Sequence, residues 1–571
     1  MKKKLLGALL AAAAFVLAGC KKDSGEDATL TFRQDQELSF TFEADEARSD
    51  IRFSATEIWM VSKETADGVD NSWFRLSPEY GQPGSATVTL IVDENNESTS
   101  DRTGAFKIMA GKSSQVFTIV QYARNSENSN YVYLPDSNFR TYCLQNFDAD
   151  GDGKLSKEEV AAIKEISCEE WDIESLDGIK YMTALETLNC RYNGLLDLSG
   201  LKNLKTVTAD HNFYTSLNLS GCSSLESLVA NDNYGYDDSG LELVFSMTDI
   251  DLSGCSALKT IKLQDNAIMS LDLKDCAALE ELDASYNNIR YLDISKCTKL
   301  RLASIRTNDI SNPVDFSHCP DLTYLGAWEA GLTGLNVSGC SKLVQLIAYR
   351  NPELKTMDVS GCPALTELNL YETGITGIDL KNNVNLVKLN LGYTGGITSI
   401  DLGSCTKLQE LNLQENKLQT LDVSACHDLQ VLKAEYNQLT SVNLSGCTAL
   451  NKLYLYNNQL TSVDLGSCTS LGSLAIYENN IQTLDVTPCK NTMYFLDCKQ
   501  NGMKELKLAD MPLLNSLDAS TNALPSLDLT KCPSLEEVYL SDNKLSSLQV
   551  RGLSSMATCE FQNNELERLD L

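Results

Sequence analysis

The amino-acid sequence predicts a mostly β protein in which a β-sandwich and a short helical segment precede a long parallel solenoid. Three observations support this prediction. From residue 163 to residue 571 the chain repeats every 21 or 22 residues, which indicates stacked coils. Residues 30–124 alternate apolar and polar positions between clusters of turn residues, as short strands do. Residues 135–162 combine helical patterning with an acidic loop.

Composition narrows the function classes. The chain has 571 residues, 78 of them acidic and 47 basic, for a net charge of −31. Its 43% hydrophobic content is that of globular material, which argues against disorder along the whole chain. An acidic surface repels phosphate backbones, so we expect no nucleic-acid partner.

The first twenty residues have the features of an export signal. A basic start at residues 2–4 precedes an apolar run at residues 5–18, and residues 17–20 read Leu-Ala-Gly-Cys. An ordinary secretory peptide or a membrane helix is the alternative, but this run is too short to span a bilayer. The segment resembles a bacterial lipoprotein signal, which implies cleavage after residue 19 and lipidation of Cys20.

The charged segment that follows predicts a tether at residues 20–29. It is similar to the acidic export signals of Bacteroidetes surface lipoproteins. That resemblance implies a chain anchored to the outer membrane by lipid alone and exposed at the cell surface.

Residues 30–124 predict the sandwich, with alternating runs at 38–42 and 86–92. The segment resembles the BACON domain, an immunoglobulin-like Bacteroidetes module often attached to glycan-degrading enzymes. The resemblance rests on Trp73, Gly81, Asn95, Arg102 and apolar positions within 88–92, 106–108 and 116–121. It implies carbohydrate or mucin binding, although a spacer role is equally open. The aromatic candidates for a glycan site are Trp59, Trp73 and Phe74, each of which also suits a sandwich core.

A linker at 125–134 leads to an acidic loop at 148–159 with oxygen donors at the spacing that a hard cation needs. Gly153 stands where such a loop turns sharply. The pattern matches an EF-hand and predicts a structural Ca²⁺ ion, the alternative being an acidic loop without an ion. Helices are expected at 138–147 and 156–166, forming an N-terminal cap over 135–162. The predicted ligands are Asp148, Asp150, Asp152, Lys154 through its carbonyl, Ser156 and Glu159.

The solenoid repeat is clear at residues 279–297, which fit the pattern L-x-x-L-x-L-x-x-N-x-L of leucine-rich repeats. About nineteen coils occupy residues 163–571. The apolar positions are expected to stack inward, because a single coil cannot bury its own face. An asparagine is expected to end each strand by satisfying backbone groups at the bend. The asparagines assigned to this position are Asn193, Asn212, Asn266, Asn287, Asn416, Asn437 and Asn543.

A second ladder places thirteen cysteines at one equivalent position of the repeat. An odd number of equivalent positions distinguishes no pairs, so we predict buried free thiols rather than disulfides. The pattern resembles the cysteine-ladder internalins, which are adhesive leucine-rich-repeat proteins. The ladder consists of Cys222, Cys255, Cys276, Cys297, Cys319, Cys340, Cys362, Cys405, Cys426, Cys447, Cys468, Cys489 and Cys532.

Aromatic and charged residues gather on consecutive coils, at positions expected to face the concave side of the solenoid. The same coils interrupt the ladders at Ala330, Thr373, Thr394 and Asn383, and local rules fail most often at functional sites. The alternative is aromatic packing that only stabilises the sheet. An insertion at 234–245 is a second candidate contact. The predicted partner-binding residues are Trp328, Tyr349, Arg350, Tyr371, Glu372 and Tyr393.

The three histidines, His211, His318 and His427, lie several coils apart, so the sequence predicts no histidine-based triad or zinc site and no enzyme. We expect a cell-surface lipoprotein that recognises a protein or glycan partner, with host mucin among the candidates. The alternative is a structural or accessory component of a surface polysaccharide-uptake complex.

Overall fold

A computed structural model describes residues 29–64, 70–95, 100–124, 126–194, 196–236, 243–245 and 247–570. Cys20 and most of the tether lie outside the described residues. The chain forms two compact units. The first comprises residues up to Tyr133 together with Gly151–Lys157, and the second comprises Leu134–Asp150 and Glu158–Leu571.

The first unit holds nine strands in two sheets, ordered β1-β3-β7-β5 and β2-β9-β8-β4-β6. Neighbouring strands are antiparallel except β2 and β9, which run parallel. The immunoglobulin-like topology stays a prediction. The strands are β1 (Leu30–Phe32), β2 (Ser39–Phe42), β3 (Ala47–Ala55), β4 (Trp59–Glu64), β5 (Phe74–Ser77), β6 (Tyr80–Gly81), β7 (Gly84–Val92), β8 (Arg102–Ala110) and β9 (Ser113–Gln121).

Alternate residues of both sheets point into one shared core. Phe106 and Phe117 stack there with their ring centroids 5.0 Å apart. Trp59, Trp73 and Phe74 are only 3%, 6% and 0% exposed. These three aromatics are therefore core residues, and none presents a ring face to a glycan.

The second unit begins with helix α1 (Ser137–Phe147), which starts one residue before the predicted 138. Asp136 caps it by accepting hydrogen bonds from the backbone N–H groups of Asn138 (2.9 Å) and Phe139 (2.7 Å). Helix α2 (Lys157–Ala162) is shorter than predicted. The expected continuation to residue 166 is wrong, because Glu165–Ser167 is instead the first strand of the solenoid.

Helix α1 is tied to the start of the solenoid by side chains that satisfy backbone donors. The Asp136 carboxylate also accepts from the N–H groups of Glu174 and Ser175, at 2.9 and 3.2 Å. The Tyr142 hydroxyl accepts from the N–H of Ser167 at 3.0 Å. The helix thus covers polar groups that the first coil would otherwise leave unpaired.

Nineteen parallel strands form one continuous sheet, the long sheet, in which every strand pairs with those of the coils before and after it. This confirms the predicted solenoid and its count of about nineteen coils. The strands are Glu165–Ser167, Thr187–Asn189, Thr206–Thr208, Ser227–Val229, Thr260–Lys262, Glu281–Asp283, Leu302–Ser304, Tyr324–Gly326, Gln345–Ile347, Glu367–Asn369, Lys388–Asn390, Glu410–Asn412, Val431–Lys433, Lys452–Tyr454, Ser473–Ala475, Phe495–Asp497, Ser516–Asp518, Glu537–Tyr539 and Thr558–Glu560.

Fourteen return segments carry strands of two or three residues, which pair in sheets of two or three strands. The insertion forms a hairpin of Tyr234–Tyr236 with Leu243–Phe245. Two 3₁₀ turns cover Ile179–Tyr181 and Thr487–Cys489. The return strands are Leu196–Asp197, Ser216–Asn218, Asp249–Asp251, Ser270–Asp272, Tyr291–Asp293, Val314–Asp315, Leu335–Asn336, Thr420–Asp422, Ser441–Asn443, Thr483–Asp485, Glu505–Lys507, Ser526–Asp528, Ser547–Gln549 and Arg568–Asp570.

The asparagine ladder forms as predicted and joins neighbouring coils. The Asn287 amide donates to the carbonyls of Leu263 (2.8 Å) and Ala284 (3.2 Å), and its oxygen accepts from the N–H of Ile268 (3.0 Å). The other predicted members also bond backbone groups at their bends. Further members are Asn308, Asn351, Asn458, Asn479, Asn501, Asn522 and Asn564.

The residue just before the asparagine position is left-handed in all nineteen coils, with φ between 51° and 61°. None of these residues is a glycine, and they include the β-branched Thr307 and Thr521. Side chains other than glycine and asparagine disfavour this conformation. A backbone hydrogen bond to the next coil accompanies it, as from the N–H of Tyr286 to Arg306 O (2.9 Å) and, where the asparagine is absent, from the N–H of Glu329 to Tyr349 O (3.0 Å).

The cysteine ladder is a column of buried thiols. All eighteen described cysteines are free, and only Cys559 is more than marginally exposed. Thiols contact carbonyls of the preceding coil, as Cys340 does at Phe316 (3.1 Å) and Cys255 at Leu219 (3.2 Å). Burial raises the pKa of Cys340 to about 12. These positions agree with the predicted free thiols.

Aspartates of the return segments form a third ladder, which the sequence analysis did not identify. Each accepts the backbone N–H two residues along, as Asp358 does from Ser360 at 2.9 Å. Hydrogen bonds from the side chain and the backbone N–H of that residue hold the pKa of each carboxyl below its usual value. These turn aspartates are Asp251, Asp272, Asp293, Asp358, Asp422, Asp485 and Asp528.

Candidate functional site

The six predicted contact residues lie on the strand face, which we define as the outward side chains of the long sheet and of the three residues after each strand. Trp328, Tyr349 and Tyr371 each stand two residues past strands that pair in register. Tyr393 lies one position further along, in the column of left-handed residues that also holds Arg350 and Glu372. The structure thus arranges the six residues in two adjacent columns.

The first column is a packed aromatic stack with a cation on it. The rings of Trp328 and Tyr349 are nearly parallel at 10°, with centroids 5.5 Å apart. The Arg306 guanidinium lies 4.7 Å from the Trp328 ring centroid and 5.1 Å from that of Tyr286. Its Nε is buried without a hydrogen-bond partner. Within the described residues, Arg306 forms no ion pair, so this guanidinium has capacity for an added acceptor.

The second column is a charge network. Arg350 bridges Glu329 at 2.5 Å and Glu372 at 2.9 Å, which are equivalent positions on the two flanking coils. Hydrogen bonds to these carboxylates raise the pKa of Arg350. All three side chains are solvent-exposed, and exposed ion pairs add little stability. The network therefore orders the surface rather than stabilising the fold.

A hollow of about 530 Å³ adjoins this network where the asparagine ladder is interrupted. Arg350, Glu372 and Tyr393 line it together with Lys355 and Thr373. The Thr373 hydroxyl donates to the Leu370 carbonyl at 2.7 Å. This shorter side chain replaces one of the hydrogen bonds that an asparagine makes at this position of other coils. The hollow therefore lies beside the charge network, at a coil without the ladder asparagine.

A second aromatic group, the tyrosine cluster, comprises Tyr436, Tyr456 and Tyr477 on three later coils. Tyr456 meets Tyr436 edge to face at 5.4 Å and stacks on Tyr477 at 4.3 Å. Lys499 lies 4.8 Å from the Tyr477 ring centroid and forms ion pairs with Asp497 (3.0 Å) and Asp518 (3.1 Å). The stacked rings of Tyr456 and Tyr477 are held in place before any partner arrives.

The acidic loop brings together part of its predicted ligand set. Asp148, Asp150 and Asp152 each offer a carboxylate oxygen, and the three oxygens lie within 4.8 Å of one another. The Glu159 carboxylate accepts from the N–H of Ala149 at 2.8 Å, which folds the end of the loop back on its start. The backbone N–H of Lys154 donates to Asp152 at 2.7 Å.

The remaining loop geometry is compatible with a turn around an ion. Gly151 and Gly153 are left-handed, with φ of 72° and 80°. Ser156 forms a β-bridge with Tyr131. Calcium binding by this loop stays a prediction.

The three histidines lie far apart along the solenoid and make separate local contacts. His211 stacks on Tyr192 with centroids 4.9 Å apart, and His427 contacts the Gly446 carbonyl at 3.3 Å. The Nε2 atom of His318 is buried without a hydrogen-bond partner.

In the part of the chain that the structure describes, no helix combines the length and apolarity needed to cross a membrane.

Comparison with known families gives one match. Residues 61–122 match the family model "BACON: Putative binding domain, N-terminal". This confirms the predicted BACON resemblance. No curated protein sequence matches the chain.

Solved structures with similar folds include the functional domain of InlJ from Listeria monocytogenes, which contains a cysteine ladder. It is 22% identical with a TM-score of 0.42, over 74% of this chain and 72% of that chain. A leucine-rich-repeat protein of Leptospira interrogans is 21% identical with a TM-score of 0.45, over 53% of this chain and 83% of that one. The Drosophila Toll–Spatzle complex is 17% identical with a TM-score of 0.40, over 65% of this chain and 49% of that chain.

Proposed function

We propose that this chain is a lipid-anchored surface protein that binds a partner protein through the strand face around Trp328 and Tyr349. The observation that carries the proposal is the pair of ordered columns there. In one column a guanidinium that forms no ion pair lies on stacked rings, and in the other three charged side chains form a network. Tryptophan, tyrosine and arginine are the residues that most often dominate binding energy at protein interfaces.

Preorganisation supports this role. Trp328 and Tyr349 already stack on each other, and Arg350 is held by carboxylates on both sides. Ordering rotamer-rich side chains on binding costs about 0.5–1.5 kcal/mol each, so a surface ordered in advance loses less on association. The open hollow beside the network could receive one projecting side chain of the partner.

A binding role also fits the surface better than catalysis does. The hollow is lined by an arginine, a lysine and a glutamate that are exposed or half-exposed, without the dry enclosure that shifts catalytic pKa values. The proposed lipid anchor rests on the sequence of residues 2–20 alone, and its test is mass spectrometry of the N-terminal peptide for an acylated Cys20.

The partner-binding proposal is tested on protein and glycan arrays that include host mucins. The purified protein is compared with a variant carrying Trp328→Ala, Tyr349→Ala and Tyr371→Ala. We expect binding to a protein partner to weaken at least about tenfold, because truncated interface aromatics commonly lose this much or more.

A matched control replaces three exposed tyrosines elsewhere, Tyr80, Tyr291 and Tyr494, by alanine. The control is expected to bind as the unmodified protein does. Equal binding by both triple variants would remove the assignment of this site, and binding to glycans alone would replace the protein partner by a carbohydrate.

We also propose that the loop at 148–159 binds a structural Ca²⁺ ion through Asp148, Asp150, Asp152, the Lys154 carbonyl, Ser156 and Glu159. A ligand held only by the folded state raises the melting temperature. Added calcium should therefore raise it in the unmodified protein and not in the Asp150→Asn variant. Asp177→Asn, a change at an exposed aspartate outside the loop, serves as control. A melting temperature that chelation leaves unchanged would rule the ion out.

A further inference from the structure

Glu435 is an acidic residue in an unusual place. It lies on the strand face, in the same column as Trp328 and Tyr349, yet its side chain is only 4% exposed. One carboxylate oxygen, Oε2, is buried and has no hydrogen-bond partner. A buried carboxylate oxygen that lacks a partner is destabilising, so its presence on a potential contact surface calls for a ligand.

The surroundings of Glu435 are aromatic. The register of the long sheet places Tyr456 and Tyr477 at the equivalent positions of the next two coils. Burial is the largest cause that raises the pKa of the Tyr456 phenol, and the nearby Glu435 carboxylate raises it further. The carboxylate therefore stands at one end of the tyrosine cluster, whose ring faces carry negative charge density.

Two other rings of the strand face already have a cation of the chain itself over them. Arg306 lies over Trp328, and Lys499 lies over Tyr477. Among the described residues, no lysine or arginine lies over Tyr436 or Tyr456, and none forms an ion pair with Glu435. The end of the tyrosine cluster at Glu435 thus lacks the cation that its counterparts have.

Neighbouring charges do not fill this place. Burial is the largest cause that raises the pKa of Glu435, and the nearby Glu415 raises it further. Lys433 lowers it through its charge but lies beyond ion-pair distance, on an exposed strand position. Lys499, at the far end of the cluster, is engaged by Asp497 and Asp518.

We propose that Glu435 and the tyrosine cluster form a site for a cationic side chain, an arginine or a lysine, of the partner protein. The proposal rests on the proposed function and names the chemistry of one contact. A cation here would gain a charge-assisted hydrogen bond to Oε2 and the ring faces of Tyr436 and Tyr456. The proposal includes a rotation of Tyr436, the most exposed ring of the cluster at 43%, that lets the cation reach Oε2.

Long-range charge favours the same partner. The chain has a net charge of −31, so basic surfaces are drawn to it while acidic ones are repelled. Steering alone selects any basic protein, whereas the tyrosine cluster fixes where one particular cation is held.

The test uses a small probe rather than an unidentified partner. Nα-acetyl-arginine methylamide is titrated into the protein and followed by saturation-transfer NMR, with the uncharged citrulline analogue as its isostere. We expect saturation transfer to the arginine probe and at least about fivefold weaker binding of citrulline, since only the arginine probe brings a charge. No binding of the arginine probe, or equal binding of both probes, would overturn the proposal.

Two pairs of variants locate the probe. Glu435→Gln should weaken its binding at least about fivefold, whereas Glu505→Gln, which removes the same charge from an exposed return strand, should leave it unchanged. Tyr456→Phe should keep binding within about twofold and Tyr456→Ala should lose it, because the ring face is the contact. The tyrosine pair still decides the matter if Glu435→Gln impairs folding.

Equal binding of the probe by Glu435→Gln and the unmodified protein would overturn this site. Such a result would leave the proposed function in place, since that proposal is read from partner binding at Trp328, Tyr349 and Tyr371. Array binding that the Trp328, Tyr349 and Tyr371 triple variant leaves unchanged, with a probe titration that still depends on Glu435, would instead remove the proposed function and leave the Glu435 site in place.

Discussion

Replacing Asn287 by alanine tests the reasoning about the asparagine ladder. The Asn287 side chain donates to the carbonyls of Leu263, Ala284 and Ser285 and accepts from the N–H of Ile268. The change removes all four hydrogen bonds, but they do not contribute equally to stability. The loss in the free energy of unfolding depends on which backbone groups keep another hydrogen-bond partner.

All three carbonyls keep another partner. Leu263 O also accepts from Asn266 at 2.8 Å, Ala284 O from Asn308 at 3.0 Å, and Ser285 O from the N–H of Asp265 at 3.2 Å. Ile268 N–H is different, because its bond to Asn287 is the one that satisfies it at this bend. An orphaned buried N–H costs about 1–3 kcal/mol, and each remaining lost bond about 0.5–1.5 kcal/mol. We expect Asn287→Ala to lower the free energy of unfolding by about 3 kcal/mol.

Urea denaturation followed by circular dichroism measures this change, and Asn288→Ala is the control. Asn288 is adjacent and exposed, so its truncation should shift stability by less than about 0.5 kcal/mol. Hydrogen exchange should also show the Ile268 amide opening faster in the Asn287 variant. A difference between the two variants below about 1 kcal/mol would refute the account of the ladder.

Three further predictions follow from the same coils. Thr521→Asn should stabilise the protein by about 0.5–1 kcal/mol in urea melts, because asparagine tolerates the left-handed backbone, while the β-branched control Thr521→Val should give no gain. The turn aspartates have folded-state pKa values below their unfolded value of 3.8, so their contribution is complete above that value and is lost as pH falls through the folded pKa. The melting temperature should accordingly drop on acidification below about pH 4, and an unchanged value there would contradict this assignment. Ellman's reagent should modify Cys559 first and leave buried thiols such as Cys340 untouched until the chain unfolds, and early labelling of the ladder would show that the coils open locally.

The repeat made much of the fold predictable. One coil read at residues 279–297 locates the buried leucine, the bend asparagine and the ladder cysteine, and stacking repeats the solution in every other coil. The prediction for helix α2 failed because the helical pattern and the first strand, Glu165–Ser167, overlap in sequence. Sheet pairing with Thr187–Asn189 decided between them, and that contact is not local.

The repeat spacing predicted which residues lie together at the candidate site, but not how their side chains are arranged. Spacing placed Trp328, Tyr349 and Tyr371 on successive coils, but only coordinates show that Arg306 lies on the Trp328 ring. Glu435 gave no signal, because a glutamate between an alanine and a tyrosine reads as an exposed residue. Its burial arises from the neighbouring coils rather than from its own sequence.

Strictly sequential pairing in the long sheet makes the spacing between contacts a countable quantity. Trp328 and Tyr456 are separated by six steps of the sheet, or roughly 29 Å at about 4.8 Å per step. Because each coil bonds only to its immediate neighbours, excising or duplicating one whole coil between them would move the two contacts closer or further apart in increments of a single strand spacing. The distance between the two contacts can therefore be changed by adding or removing whole coils, without any change to the residues of either contact.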